Sequence, residues 1–168
     1  MKIHRRVFLF PLLVLSLCSS CSLMGAPDWT YEKEAIELSY RSDSQLNSYQ
    51  GNPHTLMLCL YQLRDPNAFN QLVDEEEGLS KLLECNRFDP SVTVSKRLVI
   101  YPGKIKTEVL DRAEGTKYVG VVAGYYTLKK ERAVRFFPVS VNFFTNHPRT
   151  RVIDIYLGPQ DIQKLKGD

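Results

Sequence analysis

The chain reads as an all-β sandwich of about eight strands with one small helical insertion. Three observations predict this. Glu34–Tyr40 alternates with period two, placing Ile36, Leu38 and Tyr40 on one face and Glu37 and Ser39 on the other. From Val92 onward, short apolar runs are separated by turn residues such as Pro102-Gly103 and Glu114-Gly115. Between these regions, residues 66–85 carry apolar side chains at spacings of three and four.

Each element follows from its residues. Glu34–Tyr40 is the first strand. Residues 42–53 are polar, and Gly51-Asn52-Pro53 marks a turn. His54–Leu63, HTLMLCLYQL, is apolar on both faces in its middle. It should therefore be a central strand covered on both sides, and Pro53, which cannot donate to a ladder, fixes its start. Asp65 and Pro66 suit the start of a short helix containing Phe69, Leu72 and Val73. A second short helix is expected over Glu75–Glu84. Leu79, Leu82 and Leu83 would face inward, and Glu75, Glu76 and Glu77 would sit at the positive end of its dipole.

The remaining strands are expected at Val92–Tyr101, Lys104–Leu110, Lys117–Leu128, Ala133–Val141 and Arg151–Tyr156. Pro138 makes Ala133–Val141 an edge or bulged strand. A last helical turn is expected over Gln160–Lys166.

The N-terminus is a targeting signal. Lys2, Arg5 and Arg6 precede the apolar run Val7–Leu17, and the small residues Ser19 and Ser20 follow it. The run is shorter than the roughly 20 apolar residues that span a bilayer. A small residue directly before a cysteine resembles a bacterial lipobox, a signal whose cysteine is diacylated and then becomes residue one. Cys21, preceded by Ser20, fits better than Cys18, preceded by the bulky Leu17. The expected organisation is a signal peptide at 1–20, a lipidated tether at 21–32 and a sandwich domain at 33–168 with its insertion at 66–85. The expected modifications are a diacylglycerol and an N-acyl chain on Cys21, and acyl chains in that number anchor a protein stably. Ser22 after the cysteine leans toward the outer membrane.

The net charge of +3 leaves with the signal, which holds three basic residues and no acid. A balanced chain without a basic block argues against nucleic-acid binding. Export exposes Cys59 and Cys85 to an oxidising compartment. Cys59 lies between Leu58 and Leu60, so it either packs as an apolar residue or pairs with Cys85, and export favours the bond.

Chemistry is sparse. His54 and His147 belong to no metal-spaced pair, and CxxC, GxSxG, P-loop and GxGxxG motifs are absent. The acidic Asp74–Glu77 run lacks the spaced oxygens of a calcium loop. Tyr125, Tyr126, Phe136, Phe137, Phe143 and Phe144 could line a sugar site, but at strand spacing they read better as core. A binding or scaffold module is favoured over an enzyme, with no metal and no small-molecule substrate.

An ordered set of segments carries a family resemblance. It comprises Cys21, then Leu46-Asn47, then Tyr61-Gln62-Leu63-Arg64-Asp65 with Phe69. Tyr101-Pro102-Gly103 comes next, then Tyr118–Tyr125 (YVGVVAGY) with Arg135-Phe136 beyond. With these the chain resembles the TssJ (VasD, SciN) lipoproteins of the bacterial type VI secretion system. The resemblance implies a transthyretin-like sandwich held at the inner leaflet of the outer membrane, facing the periplasm. It also implies a non-catalytic role, binding the periplasmic domain of TssM and tying the secretion complex to the outer membrane. The loop between the first two strands would make the contact, through Asp43, Gln45, Leu46, Asn47, Ser48, Tyr49 and Gln50. Leu46 and Tyr49 would be the anchors, while Asp43 and Asn47 would shape the loop by bonding its own backbone. From a different class, the alternatives are a periplasmic carbohydrate-binding lipoprotein or a transthyretin-like hydrolase.

Lipidation at Cys21 has a direct consequence. Cys21→Ser should abolish labelling by a palmitate analogue and release the protein from membranes. Release by Cys18→Ser and retention by Cys21→Ser would move the cleavage site.

Overall fold

The computed structural model describes residues 25–164. Cys18 and Cys21 lie outside them.

Eight strands form two four-stranded sheets. The strands are β1 (Glu32–Ser42), β2 (Leu56–Leu63), β3 (Val92–Ile100), β4 (Ile105–Arg112), β5 (Tyr118–Ala123), β6 (Val134–Pro138), β7 (Arg151–Leu157) and β8 (Ile162–Lys164). One sheet has the order β4-β1-β7-β8 and the other β3-β2-β5-β6. β1 and β7 run parallel, and the other neighbouring strands in the two sheets are antiparallel. The β-sandwich fold is as expected. β2 is interior, and β6, which carries Pro138, is an edge.

β2 is buried on both faces. Leu56, Leu58 and Leu60 point between the sheets and pack with Ile36, Leu38, Val121, Ile153 and Ile155. Cys59, Tyr61 and Leu63 point outward, beneath the helices α1 (Asn67–Asp74) and α2 (Gly78–Leu82). Phe69 of α1 is fully buried there, with its ring centroid 5.9 Å from that of Tyr61. Gly120 on β5 makes room for it, since a Cβ at that position would come within 2.7 Å of the Phe69 ring. Tyr61 donates its hydroxyl hydrogen to the Leu82 carbonyl, and burial pushes its pKa up to about 12. Cys59 and Cys85 form a disulfide with Cα atoms 5.3 Å apart, fastening the end of the insertion to β2.

Several elements differ from the expected ones. Glu75, Glu76 and Glu77 form the turn between the helices and do not open α2, which starts at Gly78. A side chain at Gly78 would collide with the Leu72 carbonyl, so the two helices meet at that point. β5 stops at Ala123, because Gly124 donates to the Met57 carbonyl and Tyr125 turns back onto Ala123. Residues 130–133 form the short helix α3, so β6 begins at Val134. The expected helical turn at Gln160–Lys166 is replaced by β8. Gly158 and Asp161 close a tight turn, and Ile162 is buried opposite Leu157.

The segment entering β1 is stitched to the domain. Arg112 is fully buried, with Nη2 2.8 Å from Glu32 Oε2, and its guanidinium lies 5.9 Å from the Trp29 ring centroid. Tyr31 donates to Asp111 at 2.5 Å, and Gly115 N–H donates to the Trp29 carbonyl at 2.6 Å.

The disulfide closes a loop of 26 positions, for which chain entropy predicts about 3–4 kcal/mol of stabilisation. Cys59→Ala/Cys85→Ala should therefore lower unfolding free energy by about that amount in a denaturant titration. An unchanged midpoint would show that the bond adds nothing to a fold already closed by Phe69.

A candidate partner-binding pole

β1 spans 11 residues, roughly 33 Å at about 3.3 Å per residue. It separates two ends of the sandwich. At its start lie residues 25–31 and the loop 139–150 that feeds β7. At its end lie residues 43–55, the β3–β4 turn, residues 124–127 after β5 and the β7–β8 turn.

Residues 43–55 form an ordered loop built from its side chains. Asp43 N–H donates to the Leu157 carbonyl at 2.9 Å, and the Asp43 carbonyl accepts from Gly103 N–H at 3.0 Å. Its carboxylate accepts Gln45 N–H at 2.7 Å and the Tyr156 hydroxyl. The hydroxyl and then the amide hold the Asp43 carboxyl below its ordinary value, and the same carboxylate raises the Tyr156 pKa. Asn47 takes φ +49°, a left-handed conformation that asparagine tolerates. Its Nδ2 donates to the Thr55 carbonyl at 3.0 Å, and its Oδ1 accepts Tyr126 N–H at 2.9 Å. Tyr49 and Asn52 exchange two backbone hydrogen bonds, each 3.0 Å, which closes the tip.

The loop sorts its residues by depth. Leu46 is fully buried in the core between the sheets. It cannot serve as the expected partner anchor, because its apolar surface is already spent holding the loop down. Asn47 is also buried, and it bonds a second segment as well as its own loop. Ser48 is half-buried, its N–H donating to the Pro159 carbonyl at 2.9 Å. Gln45, Tyr49 and Gln50 are exposed.

Tyr49 stacks on Tyr126, with centroids 4.3 Å apart and planes 9° from parallel. Both rings are about half exposed, at 47% and 57%. They flank a cleft of about 110 Å³ whose floor includes Asn47, Tyr125 and Pro159. Tyr125 donates its hydroxyl hydrogen to the Asp161 carbonyl at 2.8 Å, and burial raises its pKa. The sequence reading treated Tyr126 as strand and core. Gly124 beside it was the available sign that the strand stops and the tyrosine emerges.

His54 stands beside Tyr126 at this end, whereas His147 lies 3.7 Å from Glu32 at the other. Among the described residues, no group of three His, Cys, Asp or Glu side chains is placed to hold a metal ion.

The model of the type VI secretion lipoprotein family (VasD, EvfM, TssJ) matches residues 34–158. The chain belongs to that family. Its match begins within β1 and ends just past β7, so it contains the β3-β2-β5-β6 sheet, the other sheet apart from β8 and the start of β1, the insertion and the 43–55 loop. A search of curated proteins finds no match. Among solved structures, the T6SS lipoprotein TssJ1 from Pseudomonas aeruginosa is similar at 22% identity and TM-score 0.62, covering 83% of this chain and 95% of that one. Serratia marcescens Lip, a membrane-bound component of the type VI secretion system, is similar at 19% identity and TM-score 0.63, covering 79% and 98%. A structure of the TssM C-terminal domain from EAEC is similar at 15% identity and TM-score 0.60, covering 79% and 98%. At these identities the structural likenesses speak for the fold.

The depressed Asp43 carboxyl sets a pH dependence. A folded pKa below the unfolded value contributes stability above about pH 4 and loses it as pH falls through the folded value. Hydrogen exchange should show the Gln45 amide losing protection in that acid range, ahead of β2 amides. Asp43→Asn should abolish this acid step, and a step that persists in the variant would assign it to another carboxylate.

Proposed function

We propose that this chain is a periplasmic lipoprotein of the type VI secretion membrane complex. Acyl chains on Cys21 anchor it in the inner leaflet of the outer membrane. The pole built on residues 43–53 binds the periplasmic domain of TssM, which ties the complex to the outer membrane. The role is one of attachment, without catalysis.

The observation that carries this reading is the separation of the two ends. Residues 25–31 lead into Glu32 at one end of β1, and the ordered loop stands at the other, at most roughly 33 Å away. A protein bound at that loop is held clear of the bilayer. Family membership supports the lipoprotein and secretion parts of the reading. Similarity to a chain from a type VI membrane complex, at TM-score 0.58, is consistent with the fold required.

Within the pole, the exposed Tyr49–Tyr126 stack is the contact surface, flanked by Gln45 and Gln50. Stacked tyrosines offer a large apolar area already held in place, so little ordering cost remains on binding. Leu46, Asn47 and Asp43 support this surface from beneath. A small-ligand reading is weaker, because a cleft of about 110 Å³ falls below the roughly 300 Å³ that ligand pockets start from.

Replacing Gln45–Gln50 with Gly and Ser should abolish capture of a TssM periplasmic fragment while membrane attachment persists. This replacement also removes Leu46, so Tyr49→Ala/Tyr126→Ala is the cleaner variant. It should weaken capture at least about tenfold with the circular dichroism spectrum unchanged. Full capture by the folded double variant would move the interface to the helical insertion.

A further inference from the structure

Phe143 and Phe144 are the most exposed phenylalanines among the described residues, at 74% and 90%. They lie in the 139–150 loop, at the opposite end from Tyr49, and nothing in the fold uses them. The loop is firmly built. Asn142 Oδ1 accepts Phe144 N–H at 2.9 Å and Thr145 N–H at 3.3 Å, and the Asn142 carbonyl accepts Asn146 N–H at 2.8 Å. Val141 and Pro148 pair as an isolated bridge below it. The rings meet edge-on, with centroids 5.6 Å apart. This turn therefore holds two phenylalanines in solvent at its own cost.

The neighbour of this turn identifies what covers it. Asn146 donates its side-chain amide to the Gly25 carbonyl, and Gly25 is the first described residue. Cys21 stands four positions earlier in the chain, a reach of at most roughly 14 Å. On the lipoprotein reading above, acyl chains on Cys21 enter the bilayer within that distance of Gly25, which is bonded to the turn that carries the two rings. The stretch Val139–Ile153 contains Arg149, Arg151 and His147 and no carboxylate, with Arg149 exposed. Its charge suits anionic headgroups.

We propose that Phe143 and Phe144 are a second membrane contact, inserted into the headgroup and acyl boundary beside the lipid anchor. Acyl chains alone limit the distance of a domain from a bilayer but leave its tilt free. Two aromatic side chains on a rigid turn, buried in the boundary region, remove that freedom. The tether end then faces the lipid and the 43–53 pole points away from it.

The proposal rests on the lipoprotein reading, and the test separates the two. The full-length lipidated protein is reconstituted in vesicles of phosphatidylethanolamine and phosphatidylglycerol, with p-benzoylphenylalanine in place of Phe144 or, separately, of Tyr126. After irradiation, the probe at position 144 should form a phospholipid adduct detected by mass, and the probe at position 126 should not. A probe at Thr145 should also form the adduct and lose it when Phe143→Ser/Phe144→Ser is added. Protein that floats with the vesicles yet gives no lipid adduct at position 144, or gives a protein–protein adduct there, overturns the membrane contact and leaves the anchor standing. Protein that does not float overturns both.

Discussion

The structure depends on a strand that is apolar on both faces. β2 presents Leu56, Leu58 and Leu60 to one side and Cys59, Tyr61 and Leu63 to the other. A two-sheet sandwich can bury only one of these faces. The second needs a cover of its own, and the insertion of α1 and α2 supplies it. Phe69 over Gly120, Tyr61 on the Leu82 carbonyl and the Cys59–Cys85 bond are three ways of holding that cover in place. The domain is thus three layers deep over β2 and β5, where Val122 shares the outer cluster.

Polar groups close the ends of this apolar frame. Gln62 is buried beside the β4–β5 turn. Its Nε2 donates to the Asp111 carbonyl at 2.8 Å, and its Oε1 accepts from Ala113 N–H and from the Thr116 hydroxyl. Each buried amide atom is thereby satisfied, as a low-dielectric interior requires. Arg112 is a costlier plug, since a fully buried guanidinium is tolerable only with a counter-charge. Glu32 provides it, and the pair fixes where the incoming segment becomes β1.

The sandwich was legible in the sequence wherever one residue's neighbours decide its environment. Period two in β1, the apolar run of β2 and the penalty of Pro138 in a ladder are local facts, and the strands follow them. β8 was not legible because it is three residues long, and one buried Ile162 carries no period. The parallel pairing of β1 with β7 arises from contacts more than a hundred residues apart in the chain. At the 43–55 loop, the polar composition marked a connection between two strands. It could not say which apolar residue faces inward. Leu46 and Tyr49 are equally apolar in a list, and the core selected one of them while the surface kept the other. Tyr126 joined the site only because the turn after Gly124 brings it over Tyr49.

β1 runs from one end of the molecule to the other, bulged between Glu32 and Ile36 and flanked from Ile36 onward by β4 on one side and β7 on the other. Its backbone hydrogen bonds to β4 lie across the strand direction. A tension applied between Glu32 and Asp43 is therefore carried by the covalent backbone of β1 itself, with no ladder hydrogen bond in series with it. The ladders come under shear only where a load enters on β1 and leaves through β4 or β7, and many bonds must then yield at once. The slack in that path is the bulge between Glu32 and Ile36, which can straighten before the ladder beyond Ile36 is disturbed.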